Sequence, residues 1–137
     1  MSWDVMVFDF GGSPPSSENA GPDLRPKSMG TPEEVRAKIA AHLEGIDWSD
    51  PTWGLYEGPG YSFEFIMGDK QHIDGFTLAV RGEGDAIAGL LQFAKPNGWS
   101  LFDCTTGEFI EPDNPSDAGW VGFQRYRDRF IGEEQES

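Results

Sequence analysis

Two closely spaced glycines, Gly82 and Gly84, follow an apolar segment and precede a helix-like one in VRGEGDAIAGLLQFA. This is the local pattern of loops that bind phosphate, because the free N–H groups at a helix N-terminus attract anions. A dinucleotide-binding loop would need a third glycine where Ile87 stands, and the Gly-Lys-Ser/Thr end of a nucleotide-binding loop is absent from the segment. Asp85 is well placed to cap the helix by accepting the N–H of Ile87 or Ala88. We therefore interpret the segment as a turn capped by its own carboxylate.

Arg81 is the residue of this segment that could still bind a ligand, since it stands at a predicted strand end among acids. Its guanidinium could hold the carboxylate or phosphate of a small anion through paired N–H donors. It could instead form an ion pair with Glu83, Asp85 or Asp103, which is the usual role of a surface arginine. The sequence leaves both interpretations open.

A tryptophan-rich connector, DWSDPTWG, contains two Trp in eight residues next to a proline. A loop tryptophan either covers the core or anchors an interface, because its large ring is apolar while its N–H is polar. The sequence does not separate these roles. If the connector is an interface, we expect the contact surface to comprise Trp48, Asp50, Trp53, Tyr56 and the nearby acids.

No catalytic set or metal site is evident. His42 and His72 have no His or Cys at ligand spacing, and Asp103 next to Cys104 disfavours a reactive thiolate. The basic-aromatic run RYRDR, residues 125–129, could bind a partner, but in an acidic chain we expect it to pair with carboxylates. We predict no catalytic residues, no metal and no cofactor.

The elements that must position these residues can be predicted from their periodicity. Residues 3–10 are apolar on both faces, which predicts a strand covered on both sides. Residues 11–30 are rich in Pro and Gly and predict a long loop. Thr31, Pro32 and Glu34 predict the start of a helix through a capping box, and Gly45 is its expected end.

The second half of the chain predicts four further strands and two further helices. They are a hairpin of strands 61–67 and 73–81, a helix over 85–95, a strand over 99–104 with 108–111 pairing back, and a helix over 117–131. A frayed tail at 132–137 completes a single domain of residues 1–137. The order predicts an α+β fold, an antiparallel sheet with helices mainly on one face, and allows a ferredoxin-like β-α-β-β-α-β arrangement plus a C-terminal helix.

The charge balance limits the classes of partner. The 137 residues contain 24 acids and 10 bases, a net charge of −14. Such a charge repels phosphate backbones, so we expect no nucleic acid and instead a basic protein partner. No apolar run approaches the roughly 20 residues that span a bilayer, and the N-terminal segment has the pattern of a strand. We expect a cytoplasmic protein with no membrane association; the oligomeric state is left open.

Two short motifs resemble those of the haloacid dehalogenase superfamily. VFDFGGS resembles the first motif, in which Asp9 would be the phosphoryl-accepting nucleophile, and GDKQHID resembles the Mg²⁺-binding acidic motif through Asp69 and Asp74. The second acid of the first motif is replaced by Gly11, and a single clear helix lies between the motifs, which is too little for a parallel α/β core. The resemblance implies a metal-dependent phosphohydrolase.

Over most of its length the chain resembles a family of small uncharacterised bacterial proteins. The segments that carry this resemblance are WDVMVFDF, LEGIDWSDPTWG, SFEF, LAVRGEGDAI and GWSLFDCTTGEFI. It implies a bacterial cytoplasmic protein and no particular activity.

Small size, acidity and exposed-looking tryptophans without a catalytic set favour a non-enzymatic acidic binding or inhibitor protein. We expect the immunity type, which neutralises a basic toxin, because acidic surfaces accelerate association with basic partners. The alternatives are a metal-dependent phosphohydrolase that uses Asp9 and a small-anion sensor that uses Arg81.

Overall fold

The computed structural model describes residues 2–11 and 25–136, with side chains through Arg129. This part of the chain contains seven strands and three helices, in the order β1 (Trp3–Phe8), α1 (Pro32–Ala40), β2 (Asp47–Asp50), β3 (Trp53–Glu57), β4 (Tyr61–Ile66), β5 (Phe76–Gly82), α2 (Ala86–Asn97), β6 (Ser100–Asp103), β7 (Glu108–Ile110) and α3 (Ala118–Glu136).

The strands form one sheet in the order β2-β3-β4-β5-β1-β6-β7, and every neighbouring pair is antiparallel. This confirms the predicted α+β fold. In the middle of the sheet, β1, α1, β4, β5, α2 and β6 follow a β-α-β-β-α-β order, with β1 between β5 and β6. Strands β2 and β3 extend one edge and β7 the other. The sequence did not predict β2, because DWSD is rich in residues that are depleted in strands.

One face of the sheet, the inner face, packs against the helices. Alternation along β1 turns Trp3, Val5 and Val7 to this face, where all three are buried. Helix α2 places the ring of Phe93 5.4 Å from that of Phe65. The remaining helices join the same core through Val35 and Ile39 of α1 and Trp120 of α3.

The opposite face, the outer face, carries Asp4, Met6 and Phe8 from β1. Met6 and Phe8 are only half-buried, so the prediction that β1 is covered on both sides overstated the burial of its second face. Apolar side chains on both sides of a strand do not reveal how completely each side is covered.

The helix starts predicted from the sequence are confirmed. Thr31 and Glu34 form the reciprocal capping box, and Asp85 Oδ1 accepts the N–H of Ala88 at 3.1 Å. The helix ends differ from the predictions. Helix α1 ends at Ala40, well before Gly45, and α2 continues to Asn97 through Pro96, because a proline in the last turn removes few helical hydrogen bonds.

Helix α3 holds the turn that follows β5. The indole Nε1 of Trp120 donates to the carbonyl of Gly84 at 2.9 Å, and Nη1 of Arg127 donates to that of Gly82 at 2.5 Å. The helix runs to Glu136 rather than 131, since its last residues are good helix formers.

Residues 12–24 of the predicted 11–30 loop lie outside the described residues. The described end of the loop is joined to the sheet, because Lys27 N–H donates to the Asp9 carbonyl and Met29 N–H to that of Ile73, both at 2.7 Å.

In the described ranges, no helix is both long enough and apolar enough to cross a bilayer.

Candidate functional site

A continuous row of side chains crosses the outer face from β3 to β7. Antiparallel pairing aligns the residues of one face laterally, so each member of the row neighbours the next. Thr77 is the single polar member of this row, which consists of Trp53, Ile66, Thr77, Met6, Phe102 and Phe109. Leu55 stands on the same face of β3, opposite Glu64 of β4.

The row is most exposed at its β3–β4 end. Trp53, Leu55 and Ile66 are 45%, 41% and 48% exposed. Among the described residues, the other large apolar side chain of comparable exposure is Tyr126 on α3. We call Trp53, Leu55 and Ile66 the apolar patch. Its three members lie on two adjacent strands, which makes it a contiguous surface.

The opposite end of the outer face is shielded by its own aromatic rings. Phe10 lies 5.8 Å from Phe8 and 5.7 Å from Phe109, and Phe102 lies 5.2 Å from Phe109, measured between ring centroids. All four rings are half-buried. The β3–β4 end is therefore where the outer face can contact another molecule.

Carboxylates surround the apolar patch. Strand alternation and pairing place five carboxylates on the outer face together with Arg81: Asp4, Asp47, Asp50, Glu57 and Glu64. Arg81 Nη1 lies 2.5 Å from Glu64 Oε1. The ion pair expected for Arg81 is thus present, but with a partner on the adjacent strand instead of Glu83, Asp85 or Asp103. Five carboxylates against one guanidinium give the described strand residues of this face a negative net charge.

Asp50 is held in a fixed orientation by a local turn. Its Oδ1 accepts the hydroxyl of Thr52 at 2.7 Å and the N–H of Thr52 at 2.9 Å. These hydrogen bonds, first that of the hydroxyl and then that of the N–H, lower the pKa of Asp50 below its ordinary value of 3.8. Asp50 therefore stays ionised at neutral and mildly acidic pH.

The apolar patch and its acids border a shallow cavity of about 380 Å³. The lining combines an indole, an aliphatic side chain and two carboxylates, and consists of Asp50, Thr52, Trp53, Glu64, Ile66 and Gly68. We call this cavity the β2–β4 cleft. Such a mixture suits a ligand group that is both apolar and cationic.

The residues of the contact surface predicted from the sequence lie on two different faces of the sheet. Asp50, Trp53 and Arg81 lie together on the outer face, but Trp48 and Tyr56 lie on the inner one. The ring of Trp48 packs 5.9 Å from that of Phe65, and the ring of Tyr56 packs 5.7 Å from that of Phe63. The reason is strand alternation, which turns Tyr56 away from Trp53 and Leu55. Trp48 and Tyr56 therefore act as part of the core.

Sequence reasoning missed three members of the site: Leu55, Glu64 and Ile66. The sequence pattern could have identified Ile66. In YSFEFI this apolar residue lies on the strand face that otherwise carries the polar residues Ser62 and Glu64. An isoleucine on a polar strand face indicates either a second packing surface or an interface.

The carboxylates of the dehalogenase-like motifs do not assemble into a site. Asp69 and Asp74 border a cavity of about 320 Å³ together with Lys70, but Asp9 is not among its lining residues. In the described part of the chain, no three His, Cys, Asp or Glu side chains come together as a potential metal site. The antiparallel sheet also differs from the parallel core that the resemblance implies.

Cys104 is exposed, but its surroundings disfavour the thiolate. Partial desolvation, followed by the negative charges of Asp4 and Asp103, raises the pKa of the Cys104 thiol above the ordinary value of 9.0. This direction agrees with the sequence expectation that Asp103 disfavours the thiolate.

Comparison of the chain with protein-family models, with curated proteins and with solved structures finds no match. The outer face is thus the feature from which a function can be inferred.

Proposed function

We propose that this protein is a non-enzymatic binding protein of the immunity type, and that its outer face covers a basic surface of a toxin. The observation that carries the proposal is the apolar patch, three exposed side chains on adjacent strands surrounded by carboxylates. Contiguous exposed apolar surface marks interaction sites on soluble proteins, and tryptophan is prominent among interface anchors.

Charge complementarity favours a basic partner. The chain has a net charge of −14, and five of its carboxylates lie with Arg81 on the outer face that carries the patch. An acidic rim accelerates encounter with a basic protein and repels phosphate backbones. It also disfavours face-to-face pairing of two copies of this chain, because like charges would then be juxtaposed.

The two alternative functions receive less support. An anion sensor would need the Arg81 guanidinium, but Glu64 already holds it at 2.5 Å within an acidic surface. A phosphohydrolase would need Asp9, Asp69 and Asp74 to converge on a metal ion. The proposal includes the bacterial origin and the cytoplasmic location expected from the sequence.

The test is rescue from a toxin. Each protein encoded beside this one in its genome is induced in a bacterial host, with and without co-expression of the chain. We expect one neighbour to arrest growth and the wild-type chain to restore it. Ile66→Asp, which places a charge in the centre of the apolar patch, should abolish rescue. Tyr126→Asp makes a matched change of an exposed aromatic residue on α3 and should retain it.

Two results would overturn the proposal. One is that no neighbouring protein arrests growth in a way that the wild-type chain relieves. The other is that Ile66→Asp rescues as well as the wild type, which would place binding elsewhere. Circular dichroism and thermal unfolding of both variants establish that a loss of rescue is not a loss of fold.

A further inference from the structure

We propose that the β2–β4 cleft binds one cationic side chain of the partner, and that this side chain is an arginine. The inference rests on the proposed function and specifies the chemistry that the outer face recognises.

The walls of the cleft match the two parts of an arginine side chain. Trp53 and Ile66 offer apolar surface to its aliphatic stem, and the indole face of Trp53 attracts a guanidinium. Asp50, at the end of β2, and Glu64, on β4, supply carboxylates from two different strands. A planar guanidinium can stack on the indole and donate to both carboxylates, which the compact ammonium of lysine cannot do equally well.

The Asp50 carboxylate is already oriented by Thr52 when no ligand is bound. Both of its local hydrogen bonds go to Oδ1, which leaves Oδ2 available to an outside donor as far as the described residues are concerned. Because Thr52 fixes the carboxylate and favours its ionised form, binding requires little additional ordering of this side chain.

Glu64 can accept a second cation although it already pairs with Arg81. The ion pair uses Oε1, and a carboxylate has about four lone-pair sites on its two oxygens. Asp50 and Glu64 against Arg81 give the cleft a net charge of −1. One added guanidinium therefore neutralises it, which favours a single monovalent side chain.

A metal ion is a poorer occupant of the same cleft. Divalent cations need several converging oxygen ligands, and half of this lining is apolar. The described residues contain no cluster of three potential ligands. An apolar side chain without charge is also disfavoured, since it would bury the Asp50 carboxylate without a counterion.

The test is a titration of the purified chain with N-acetyl-L-arginine methylamide, followed by NMR at the Trp53 indole N–H and the Ile66 methyl groups. We expect saturable shifts at both positions, with a dissociation constant in the millimolar range. The citrulline analogue has the same shape without the charge. It should bind about tenfold more weakly, because a charge-assisted hydrogen bond is replaced by a neutral one.

Matched variants locate the contact. Asp50→Asn preserves the turn with Thr52 but removes the charge, and should weaken arginine binding about tenfold. Asp47→Asn is the control, since Asp47 forms the same kind of turn with Ser49 and does not line the cleft. It should bind as the wild type does.

The inference is overturned if the arginine probe produces no saturable shift, if the citrulline analogue binds equally well, or if the two Asn variants behave alike. These failures are distinguishable from failure of the proposed function. Loss of arginine binding with intact toxin rescue would refute the cleft alone, whereas absence of rescue with intact arginine binding would refute the immunity role alone.

Discussion

The structural role of Asp103 depends on contacts with residues that are distant in the sequence. Its side chain is buried, and Oδ1 accepts hydrogen bonds from Trp3 Nε1 at 2.9 Å and from the N–H groups of Thr105 at 2.8 Å and Thr106 at 3.3 Å. A buried carboxylate is stable only with such donors. From sequence, Asp103 was considered only as a partner of Arg81 or a neighbour of Cys104. Its hydrogen bond with Trp3 connects residues that are 100 positions apart in the sequence. No local sequence pattern could therefore predict it.

Replacing Asp103 should therefore destabilise the fold. We expect Asp103→Ala to lower the free energy of unfolding by about 2 to 3 kcal/mol, because it leaves buried donors unsatisfied. Asp113→Ala is the control, since the Asp113 side chain is 95% exposed and makes only a 3.5 Å ion pair with Lys95. Urea denaturation measures both variants. Equal losses in the two would contradict the role given to Asp103.

The capping residue Glu34, in the first turn of α1, should make the free energy of unfolding depend on pH. The N–H of Thr31, followed by its hydroxyl, lowers the pKa of Glu34 below the ordinary value of 4.5. A lowered pKa contributes stability above the unfolded-state value, and this contribution disappears as pH falls through the folded-state value. Glu34→Gln can keep the capping hydrogen bond but does not titrate. Its free energy of unfolding should fall less steeply than that of the wild type below about pH 4.5, as urea denaturation at stepped pH would show. An unchanged slope would contradict this assignment.

At the scale of elements, the sequence predicted the features that depend on local patterns. It missed the features that depend on how the strands pair. Capping residues and periodicity located the starts of α1 and α2 and the β4–β5 hairpin. The edge strand β2 and the faces of β3 depend on register, which brings Trp53 opposite Ile66. The Arg81–Glu64 ion pair likewise arises from adjacent strands. The apolar patch could therefore not be assembled from sequence spacing.

The two glycines of α3 provide a test of packing at this scale. Gly119 and Gly122 lie in the same helix, but their surroundings differ. A Cβ at Gly119 would meet the carboxylate of Asp103, whereas one at Gly122 would meet no described atom within 4 Å apart from its chain neighbours and the backbone of its own helix. We expect Gly122→Ala to stabilise the protein by up to about 1 kcal/mol through helix propensity. Gly119→Ala should destabilise it by about 1 to 3 kcal/mol through overpacking. Thermal unfolding that moved in the same direction for both would contradict this packing.

At the scale of the whole molecule, the two faces of the sheet have separate roles. The inner face buries the core beneath three helices, and the outer face presents the apolar patch within an acidic surface. Composition alone gives the net charge of −14 on which the proposal of a basic partner rests. It does not give the position of the apolar patch, because that position depends on which strands lie side by side.

The measurement that tests the central claim most directly is the affinity of this chain for the toxin that the rescue experiment identifies, determined by titration calorimetry. The account predicts that Ile66→Asp weakens binding about tenfold or more, as expected for the centre of an interface, while Tyr126→Asp leaves it unchanged. Equal affinity of Ile66→Asp and the wild type would contradict the assignment of the outer face as the binding surface.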